Sequence, residues 1–427
     1  MKNKKNTSPW AWVPSLYLAE GLPNVAITTV SVALYTKMGL SIIHIALYTS
    51  ILNVPWIIKP LWSPFVDILK TKRWWILIMQ LLIGAGFAGV AFSIPTSFYL
   101  QATIAFFYLL AFSSATHDIA VDGFYMLGLD TNQQAAFVGI RNTFYKVAVL
   151  IGQGALLYLA GHLERITGNV KFAWSTVFFT LAGLFILFNL YHRFVLPKPV
   201  VDIPKSDLKF KDVLKEFLET FVSFFTKPQI LTALFFLLTF RLGESQLQKL
   251  IIPFLDAPVG KGGLGLTMED IGIIYGTVGI IALVLGGIVG GVSVSRGGLK
   301  KWIWPMTLSM ILTGLSFVYL SFAQPQSLPV INICVAIEQF GYGFGFTAYT
   351  LYMIYFSVGE YKTSHYAICT GFMALGLALP GTFAGWMQQL LGYEKFFIWV
   401  MICSIIPIIA VSLLKINPEF GNSTLTD

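Results

Sequence analysis

The sequence predicts an all-α membrane protein with twelve transmembrane helices. Of its 427 residues, 56% are hydrophobic and only 11% are charged, whereas a typical soluble domain has about 25% charged residues. A soluble globule needs a polar surface and a disordered chain has few apolar residues, so this composition excludes both classes. Twelve helices of about 20 apolar residues each would use roughly 240 to 300 residues and leave short loops.

Apolar residues recur in long runs that short polar segments separate. Each run is long enough to cross a bilayer as a helix. Asn53, Pro55 and Pro60 interrupt the second run, which a helix packed inside a bundle tolerates. The twelve runs lie at roughly 10–36, 41–66, 74–94, 98–127, 134–160, 172–195, 228–255, 267–293, 302–323, 328–357, 366–391 and 396–414.

The Lys and Arg residues predict the orientation of the chain. With the N-terminus inside, eighteen of them fall in inner segments and six in outer segments. Cytoplasmic loops of membrane proteins carry an excess of these residues, so we expect both termini to be cytoplasmic. The net charge of +8 is explained in this way, and no nucleic-acid partner is expected.

The chain also contains an internal repeat. Two stretches without formal charge, 74–117 and 302–337, each follow a basic cluster and begin 228 residues apart. Two six-helix halves in the same orientation resemble the layout of the major facilitator superfamily. The predicted domains are therefore an N-terminal half at 1–195, a cytoplasmic linker at 196–227 and a C-terminal half at 228–427.

The linker is the most charged stretch of the chain, and it contains apolar residues at helical spacing. Lys211, Lys215, Glu216 and Glu219 take the other face. The pattern predicts an amphipathic helix on the inner leaflet that tethers the two halves, with a regulatory partner site as the alternative. The apolar residues are Phe210, Val213, Leu214, Phe217, Leu218, Phe221 and Phe225.

Ionisable residues at membrane depth are costly and indicate function by default. Asp118 and Asp122 are four residues apart on the fourth helix and share one face. Two carboxylates close together in a low dielectric disfavour joint ionisation, so one of them can carry a proton, as a proton-coupled carrier requires. The alternative is an ion-pair brace from Arg141, which the fourth and fifth helices place at the same level.

Arg241 lies near the middle of the seventh helix, with Glu244 one turn further on and Glu20 at similar depth on the first helix. A planar, permanently charged guanidinium at the midplane suits a carboxylate or phosphate of an anionic substrate. The alternative is that Arg241 pairs internally with Glu244 or Glu20. Glu338 on the tenth helix is a further proton-coupling candidate, or else a hydrogen-bonded structural acid.

Two lysines and one histidine complete the set at membrane depth. Lys59 precedes Pro60 in the inner half of the second helix, and a substrate-binding role competes with snorkelling to the interface. Lys146 needs a counter-charge and is predicted to be an ion-pair partner. His117 neighbours Asp118 but points about 100° away from it around the helix.

Two loops resemble the superfamily signature Gly-x-x-x-Asp-Arg-x-Gly-Arg-Arg, although both have lost part of it. Asp67 closes the second helix before one basic loop, and Arg296 follows the eighth helix in the other. In the superfamily this loop latches the two halves together at the inner face. The resemblance therefore implies that Asp67 and Arg296 are gate residues.

Other chemistries lack a matching pattern. The sequence has no Gly-x-x-x-x-Gly-Lys-Ser/Thr motif, catalytic triad or metal-ligand spacing, so neither an ATP-driven pump nor an enzyme is predicted, and no cofactor is expected. Cys334, Cys369 and Cys403 all fall in apolar runs and are expected to be buried and unpaired.

Several short segments resemble the muropeptide permease (AmpG) family of proton-coupled facilitators. They occur in the family's order and cover nearly the whole chain. The acid at Glu20 departs from the family's pattern. The segments are 20–23, Pro55 to Asp67, Ser113 to Asp122, Phe240 to Gly243 with Pro253 to Leu255, and Thr363 to Ala367.

This resemblance implies import of N-acetylglucosaminyl-anhydro-muropeptides across a bacterial inner membrane. The residues by themselves indicate only a proton-linked facilitator for a small, polar and anionic solute. A sugar, a peptide or an acyl-CoA is an alternative cargo. A membrane sensor or scaffold that does not transport is the alternative class, and the buried charges argue against it because a scaffold gains nothing from their cost.

The charge asymmetry generates a topology prediction. A cysteine introduced between residues 200 and 215 should resist a membrane-impermeant thiol reagent added to intact cells, because that segment is expected to be cytoplasmic. A cysteine at Lys171, in a predicted outer segment, should react under the same conditions. Efficient labelling between 200 and 215 would reverse the assigned orientation.

Overall fold

A computed structural model describes residues 7–40, 48–49, 51–203, 210–266 and 268–422. This part of the chain is built of helices and contains no β-strand. The first part of the second predicted helix, at 41–47, lies outside the described residues.

Each of the first six predicted runs contains helical segments within its described residues. The first, second and fifth runs are divided by short stretches of π or 3-10 helix, while the third, fourth and sixth are continuous. In order, the segments are Pro9–Val25, Ala26–Val30 (π) and Ser31–Lys37; Val54–Ile58, Lys59–Leu61 (3-10) and Ser63–Ile68; Lys72–Ser93; Tyr99–Gly128; Thr131–Leu150, Ile151–Leu156 (π) and Leu157–Thr167; and Val170–Val195.

The later runs are helical as well. Helix 10 has the predicted bounds, and helices 11 and 12 form one helical stretch that turns at Gly392, where φ is 71°. In order, the segments are the linker helix Phe210–Phe225; Ile230–Thr239 and Leu242–Asp256; Val259–Lys261 (3-10); Met268–Ile273, Ile274–Gly279 (π) and Ile280–Gly297; Leu299–Leu312 and Leu315–Ala323; Leu328–Ser357; and Lys362–Cys403 with Ile405–Ser412.

Eight helices within the described ranges are long and apolar enough to cross a membrane. One of them, Lys362–Ser412, has 51 residues and contains both helix 11 and helix 12. The eight do not include helix 1, whose proline and polar residues lower its hydropathy, helix 2, whose described part consists of short pieces, or helix 10, which carries many Gly, Tyr and Thr residues. The twelve predicted helices are therefore all represented.

The chain groups into two compact units. The first comprises Met1–Leu129, Phe144–Phe221 and Gly359–Gly371, and the second comprises Asp130–Thr143, Val222–Val358 and Phe372–Asp427. The predicted division at 195 and 228 stays a prediction, and each unit is described below by itself.

Aromatic side chains fill the core of the first unit. Phe87 of helix 3 packs against Phe178 and Phe185 of helix 6, with ring centroids 6.2 and 5.6 Å away. Phe107 of helix 4 meets Phe178 edge-on at 5.6 Å. Lipid tails are as apolar as these rings, so the helices associate through close packing and not through exclusion of water.

Glycines bring helices close together in the second unit. A Cβ atom at Gly291 would lie 2.9 Å from the carbonyl oxygen of Ala135, and one at Gly343 would lie 3.1 Å from the amide nitrogen of Gly287. Helix 8 therefore contacts helix 10 and the first turns of helix 5 through backbone atoms. This is the packing role that the glycine-rich sequence of helix 8 favours.

Candidate functional site

Two buried aspartates lie one turn apart on helix 4 in the first unit. Asp118 and Asp122 are 6% and 5% exposed. The Nζ atom of Lys59 lies 3.7 Å from Oδ2 of Asp118, and the hydroxyl of Tyr17 donates to Oδ1 of Asp122 over 3.2 Å. Each carboxylate thus has its own polar partner from a different helix, because Tyr17 comes from helix 1 and Lys59 from helix 2.

Lys59 reaches Asp118 because helix 2 changes geometry at this residue. The α-helix Val54–Ile58 gives way to a 3-10 turn at Lys59–Leu61, where Pro60 supplies no backbone donor. The Lys59 side chain is buried and directed at the aspartate, not at the membrane interface. The side chain therefore does not snorkel to the interface, which was one of the two predicted alternatives. The other, a substrate-binding role, stays a prediction.

Tyr145 lies between Glu20 and the pair of Asp118 and Asp122 in the network of electrostatic interactions. The charges of Asp118, Glu20 and Asp122 all act on the Tyr145 hydroxyl, which comes from helix 5. Helices 1 and 5 approach closely at Gly21, where a Cβ atom would lie 2.8 Å from the carbonyl oxygen of Tyr145. Glu20 is itself buried. Four helices therefore contribute to one cluster of three carboxylates, two tyrosines and a lysine.

The sequence reasoning missed both tyrosines of this cluster, although a signal was present. Tyr17 is three residues before Glu20, which places the two on one face of helix 1. Arg141 is buried and belongs to the second unit, and Lys146 is partly buried in the first. The predicted ion-pair roles of Arg141 and Lys146 stay predictions.

Arg241 forms a two-point ion pair in the second unit. Its Nε donates to Glu244 Oε2 over 2.7 Å, and its Nη2 donates to Glu244 Oε1 over 3.0 Å. Nη2 also lies 3.2 Å from the hydroxyl of Tyr342, and the guanidinium lies 5.2 Å from the ring centre of Phe346. Of the predicted partners, the structure pairs Arg241 with Glu244. The role of anion anchor stays a prediction.

A break in helix 7 creates this geometry. The helix divides into Ile230–Thr239 and Leu242–Asp256, and Arg241 sits at the N-terminus of the second piece with φ of −98° and ψ of 14°. Glu244 follows in the first turn, where a carboxylate also benefits from the positive end of the helix dipole. The ion pair is thus a local (i, i+3) contact that the break orients.

Glu338 lies on helix 10 of the second unit. It is 3% exposed, and its Oε2 accepts a hydrogen bond of 2.8 Å from Gln339. Glu338, Glu244 and Tyr342 line one small pocket among helices 7, 9, 10 and 12. A buried carboxylate that faces a pocket can take up a proton, so its predicted coupling role stays open.

Asp67 is held at the start of helix 11. It accepts hydrogen bonds from the amide and the hydroxyl of Ser364, the amide at 2.8 Å, and it forms an ion pair with Lys72 Nζ at 2.8 Å. Lys362 Nζ donates to the carbonyl oxygen of Met126 at the end of helix 4 over 2.9 Å. A carboxylate at a helix N-terminus is stabilising. The predicted gate roles of Asp67 and Arg296 stay predictions. Arg296 is exposed at the end of Ile280–Gly297.

A second polar group was missed by the sequence reasoning. His117 faces away from the aspartates, as its position on the helix predicts, and lies 3.2 Å from the amide nitrogen of Gln80. The same nitrogen lies 2.8 Å from Nδ1 of His192, whose Nε2 is 3.0 Å from the hydroxyl of Ser15. This chain links helices 1, 3, 4 and 6. Gln80 and His192 stand out in apolar helices, which is the signal that could have revealed it.

No group of three or more His, Cys, Asp or Glu residues in the described part of the chain could hold a metal ion. The three cysteines are buried, and none of them forms a disulfide in the described part of the chain. Buried ion pairs inside a bundle of spanning helices are typical of a solute transporter.

The chain belongs to the Major Facilitator Superfamily, whose family model matches residues 15–379. It is a transporter of that class, acts on a small molecule and crosses the membrane several times. It is 27% identical over 402 residues to AmpG 4, a transporter of Rickettsia conorii, with 91% of this chain and 92% of the relative covered. It is 22% identical over 410 residues to the anhydromuropeptide permease of Escherichia coli K12, with 95% and 79% covered. The resemblance to the muropeptide permease family is thereby confirmed.

Solved structures agree on the fold. The fucose:proton symporter FucP of E. coli has a TM-score of 0.71 at 13% identity, and the match covers 96% of this chain and 99% of that one. The proton:xylose symporter XylE has a TM-score of 0.66 at 11% identity, with 96% of each chain covered. The predicted major facilitator fold is confirmed.

The Arg241 geometry generates a prediction that separates bracing from substrate binding. Arg241→Ala leaves Glu244 buried without its partner, so it should cost about 3–5 kcal/mol of stability and lower the melting temperature. The double variant Arg241→Ala/Glu244→Gln should recover most of that loss. A melting temperature of Arg241→Ala equal to that of the wild type would contradict the brace.

The same residue can be tested for anion binding. Arg241→Lys keeps the charge but loses the planar fork, so substrate affinity should fall about ten- to a hundredfold if the guanidinium contacts an anionic substrate, from about 1.5–3 kcal/mol for a charge-assisted hydrogen bond. The measurement is binding affinity beside melting temperature. Unchanged affinity in a folded Arg241→Lys protein would exclude the anchor role.

The Asp67 contacts predict the stability of the start of helix 11. Asp67→Asn should speed hydrogen exchange of the amides at 362–368 about tenfold or more, because it removes charge-assisted bonds to Ser364 and the ion pair with Lys72. Glu164→Gln, which removes only the exposed 3.3 Å pair with Lys37, is the matched control and should leave these amides unchanged. Equal exchange in the wild type and Asp67→Asn would show that the Asp67 contacts do not stabilise the start of helix 11.

Proposed function

We propose that this transporter is a proton-coupled importer of N-acetylglucosaminyl-anhydro-muropeptides in the bacterial inner membrane, with both termini cytoplasmic. The relatives support the cargo, since one is named an anhydromuropeptide permease and the similarity spans 95% of this chain. The charge asymmetry of the loops supports the orientation. The buried pair of Asp118 and Asp122 is the observation that carries the coupling.

Protonation is the simplest way to relieve this pair. The two carboxylates share one face of helix 4, and Glu20 adds a third acid close to Tyr145. The Lys59 ammonium lies 3.7 Å from Oδ2 of Asp118. Since joint ionisation of clustered carboxylates is disfavoured in a low dielectric, uptake of one proton stabilises the cluster. A proton that enters from one side and leaves on the other then couples the cluster to the pH gradient.

The Lys59–Asp118 ion pair links proton uptake to cargo. Protonation of Asp118 removes the charge that holds the Lys59 ammonium. The freed ammonium then becomes available to a carboxylate, which is a group that the peptide part of a muropeptide carries. Proton and anionic cargo would therefore bind in order, and release of the proton would let Asp118 compete for Lys59 again. Arg241 and Glu20 are the other proposed substrate contacts.

Uptake into proteoliposomes under an imposed pH gradient tests the coupling. Asp118→Asn and Asp122→Asn should each abolish gradient-driven uptake, because a neutral amide cannot cycle a proton, while cargo exchange without a gradient is retained. Asp256→Asn, at an exposed acid at the end of helix 7, is the matched control and should transport like the wild type. Full gradient-driven uptake by both single variants would move the coupling site elsewhere, with Glu338 the next residue to test.

The cargo is tested in the same vesicles with a panel of anhydro-muropeptides, neutral oligosaccharides and acyl-CoA. The proposal expects uptake of the muropeptides, and competition by the peptide-bearing forms more than by sugars without a carboxylate. Gradient-driven uptake of an oligosaccharide or acyl-CoA alone would keep the proton coupling and overturn the muropeptide assignment.

A further inference from the structure

The linker helix Phe210–Phe225 presents two different apolar faces, where the sequence predicts one. Helix 6 ends at Val195 and helix 7 begins at Ile230, so this helix lies between two membrane-spanning segments. Its side chains divide around the axis at about 100° per residue. The two faces have different surroundings, and that difference identifies what the second one binds.

The first face packs on protein. The ring of Phe217 stacks on Phe65 near the end of helix 2, with centroids 5.2 Å apart. The carbonyl oxygen of Thr220 lies 3.2 Å from Nε2 of His365, the residue after Ser364. Phe224 is fully buried and stacks on Phe372 of helix 11. Part of the apolar surface predicted to lie on the leaflet is thus used within the protein.

The second face is an exposed apolar stripe beside the first. It spans the helix at intervals of three or four residues and covers an arc of about 80°. The exposed fractions are large for residues of this size in a packed protein, which indicates a surface that something apolar covers. The stripe consists of Leu214, Leu218, Val222 and Phe225, which are 47%, 56%, 60% and 47% exposed.

Charges are sorted around this stripe. Lys211 and Lys215 project within about 60° of its centre, whereas the exposed acids Asp212 and Glu219 project about 100° to 120° away from it. Lys215 Nζ lies 3.6 Å from Glu219 Oε1 across the boundary between the two groups. Lysines beside an apolar stripe and acids on the far side are the arrangement of a helix that lies in a membrane interface, where long basic side chains reach the head groups and acids stay in water.

The stripe also adjoins a second exposed apolar surface, on helix 11. Phe225 meets Phe372 of helix 11 edge-on, with centroids 6.5 Å apart. Three residues further along, helix 11 begins an exposed apolar row that runs along a membrane-spanning helix. The row consists of Leu375, Leu379, Phe383, Trp386 and Leu390, which are 37% to 62% exposed.

We propose that the stripe of Leu214, Leu218, Val222 and Phe225 is seated in the interfacial layer of the bilayer, with Lys211 and Lys215 on anionic phospholipid head groups. The first face contacts Phe65 and His365, so the membrane surface becomes a fixed support for the segment that carries Ser364. This binding surface does not depend on which cargo is transported.

Two neighbouring positions on the full-length protein test the proposal. Cys334, Cys369 and Cys403 are replaced by alanine, or left in place if that background does not fold, since all three are buried. An environment-sensitive fluorophore is attached at Leu218→Cys or at the matched control Glu219→Cys, and the protein is placed in phosphatidylcholine vesicles with or without phosphatidylglycerol. We expect the label at 218 to shift to shorter wavelength and be quenched by spin-labelled lipid, while the label at 219 is quenched by aqueous iodide.

The other results overturn the proposal. Quenching of both labels by iodide alone would show that the stripe lies in water. Shielding of the 218 label from both lipid and iodide would show that a protein, either a partner or a second copy, covers it. Phosphatidylglycerol should increase lipid quenching at 218, and Lys211→Gln/Lys215→Gln should abolish that increase. If Lys211 and Lys215 are kept and the 218 label is quenched by lipid equally in both lipid mixtures, the head-group contacts are excluded.

Discussion

The free-energy cost of burying charge governs this molecule more than any other factor. In a bilayer the apolar residues gain little by leaving lipid, whereas an ionised side chain loses several kcal/mol unless a partner of opposite charge or several hydrogen bonds meet it. Lys59 with Asp118 and Arg241 with Glu244 satisfy that demand inside separate units. The helix breaks at Lys59 and Arg241, the close approach at Gly21 and the buried tyrosines all serve to bring such partners together.

In a transporter, each buried charge needs a partner even while the ionisation of the side chains changes. The two ion pairs differ in a way that suits different tasks. Arg241 and Glu244 meet through two short bonds within one helical turn and are held by aromatic rings, so their geometry is fixed locally. Lys59 and Asp118 meet at 3.7 Å across two helices, beside a second aspartate. The looser pair is the one whose partner can change, which is why it carries the proposed coupling.

Much of the fold could be predicted because it depends on the composition of the chain and on the length and spacing of its apolar runs. The bounds of helix 10 and the twelve helical runs follow from apolar length alone, and the glycines of helix 8 indicate close packing. The partners of the buried charges could not be predicted in the same way. Whether Arg241 meets Glu244, Glu20 or a substrate depends on the break after Thr239, and whether Lys59 turns inward depends on a 3-10 turn. Tyr145 enters the acidic cluster only through the approach of two distant helices, which periodicity within one helix does not encode.

The chain from Ser15 through His192 and Gln80 to His117 bears on energy conservation. Two imidazoles in the same unit as the proposed proton-binding cluster would offer a route for proton leakage if they were joined directly, since an imidazole can accept a proton on one nitrogen and lose it from the other. Here a carboxamide lies between them, and its nitrogen contacts both rings. An amide donates and accepts hydrogen bonds without taking up a proton, so it interrupts proton transfer between the two imidazoles. The bundle is tied together by polar bonds across four helices, and in the proposed mechanism the proton gradient would not be short-circuited through them.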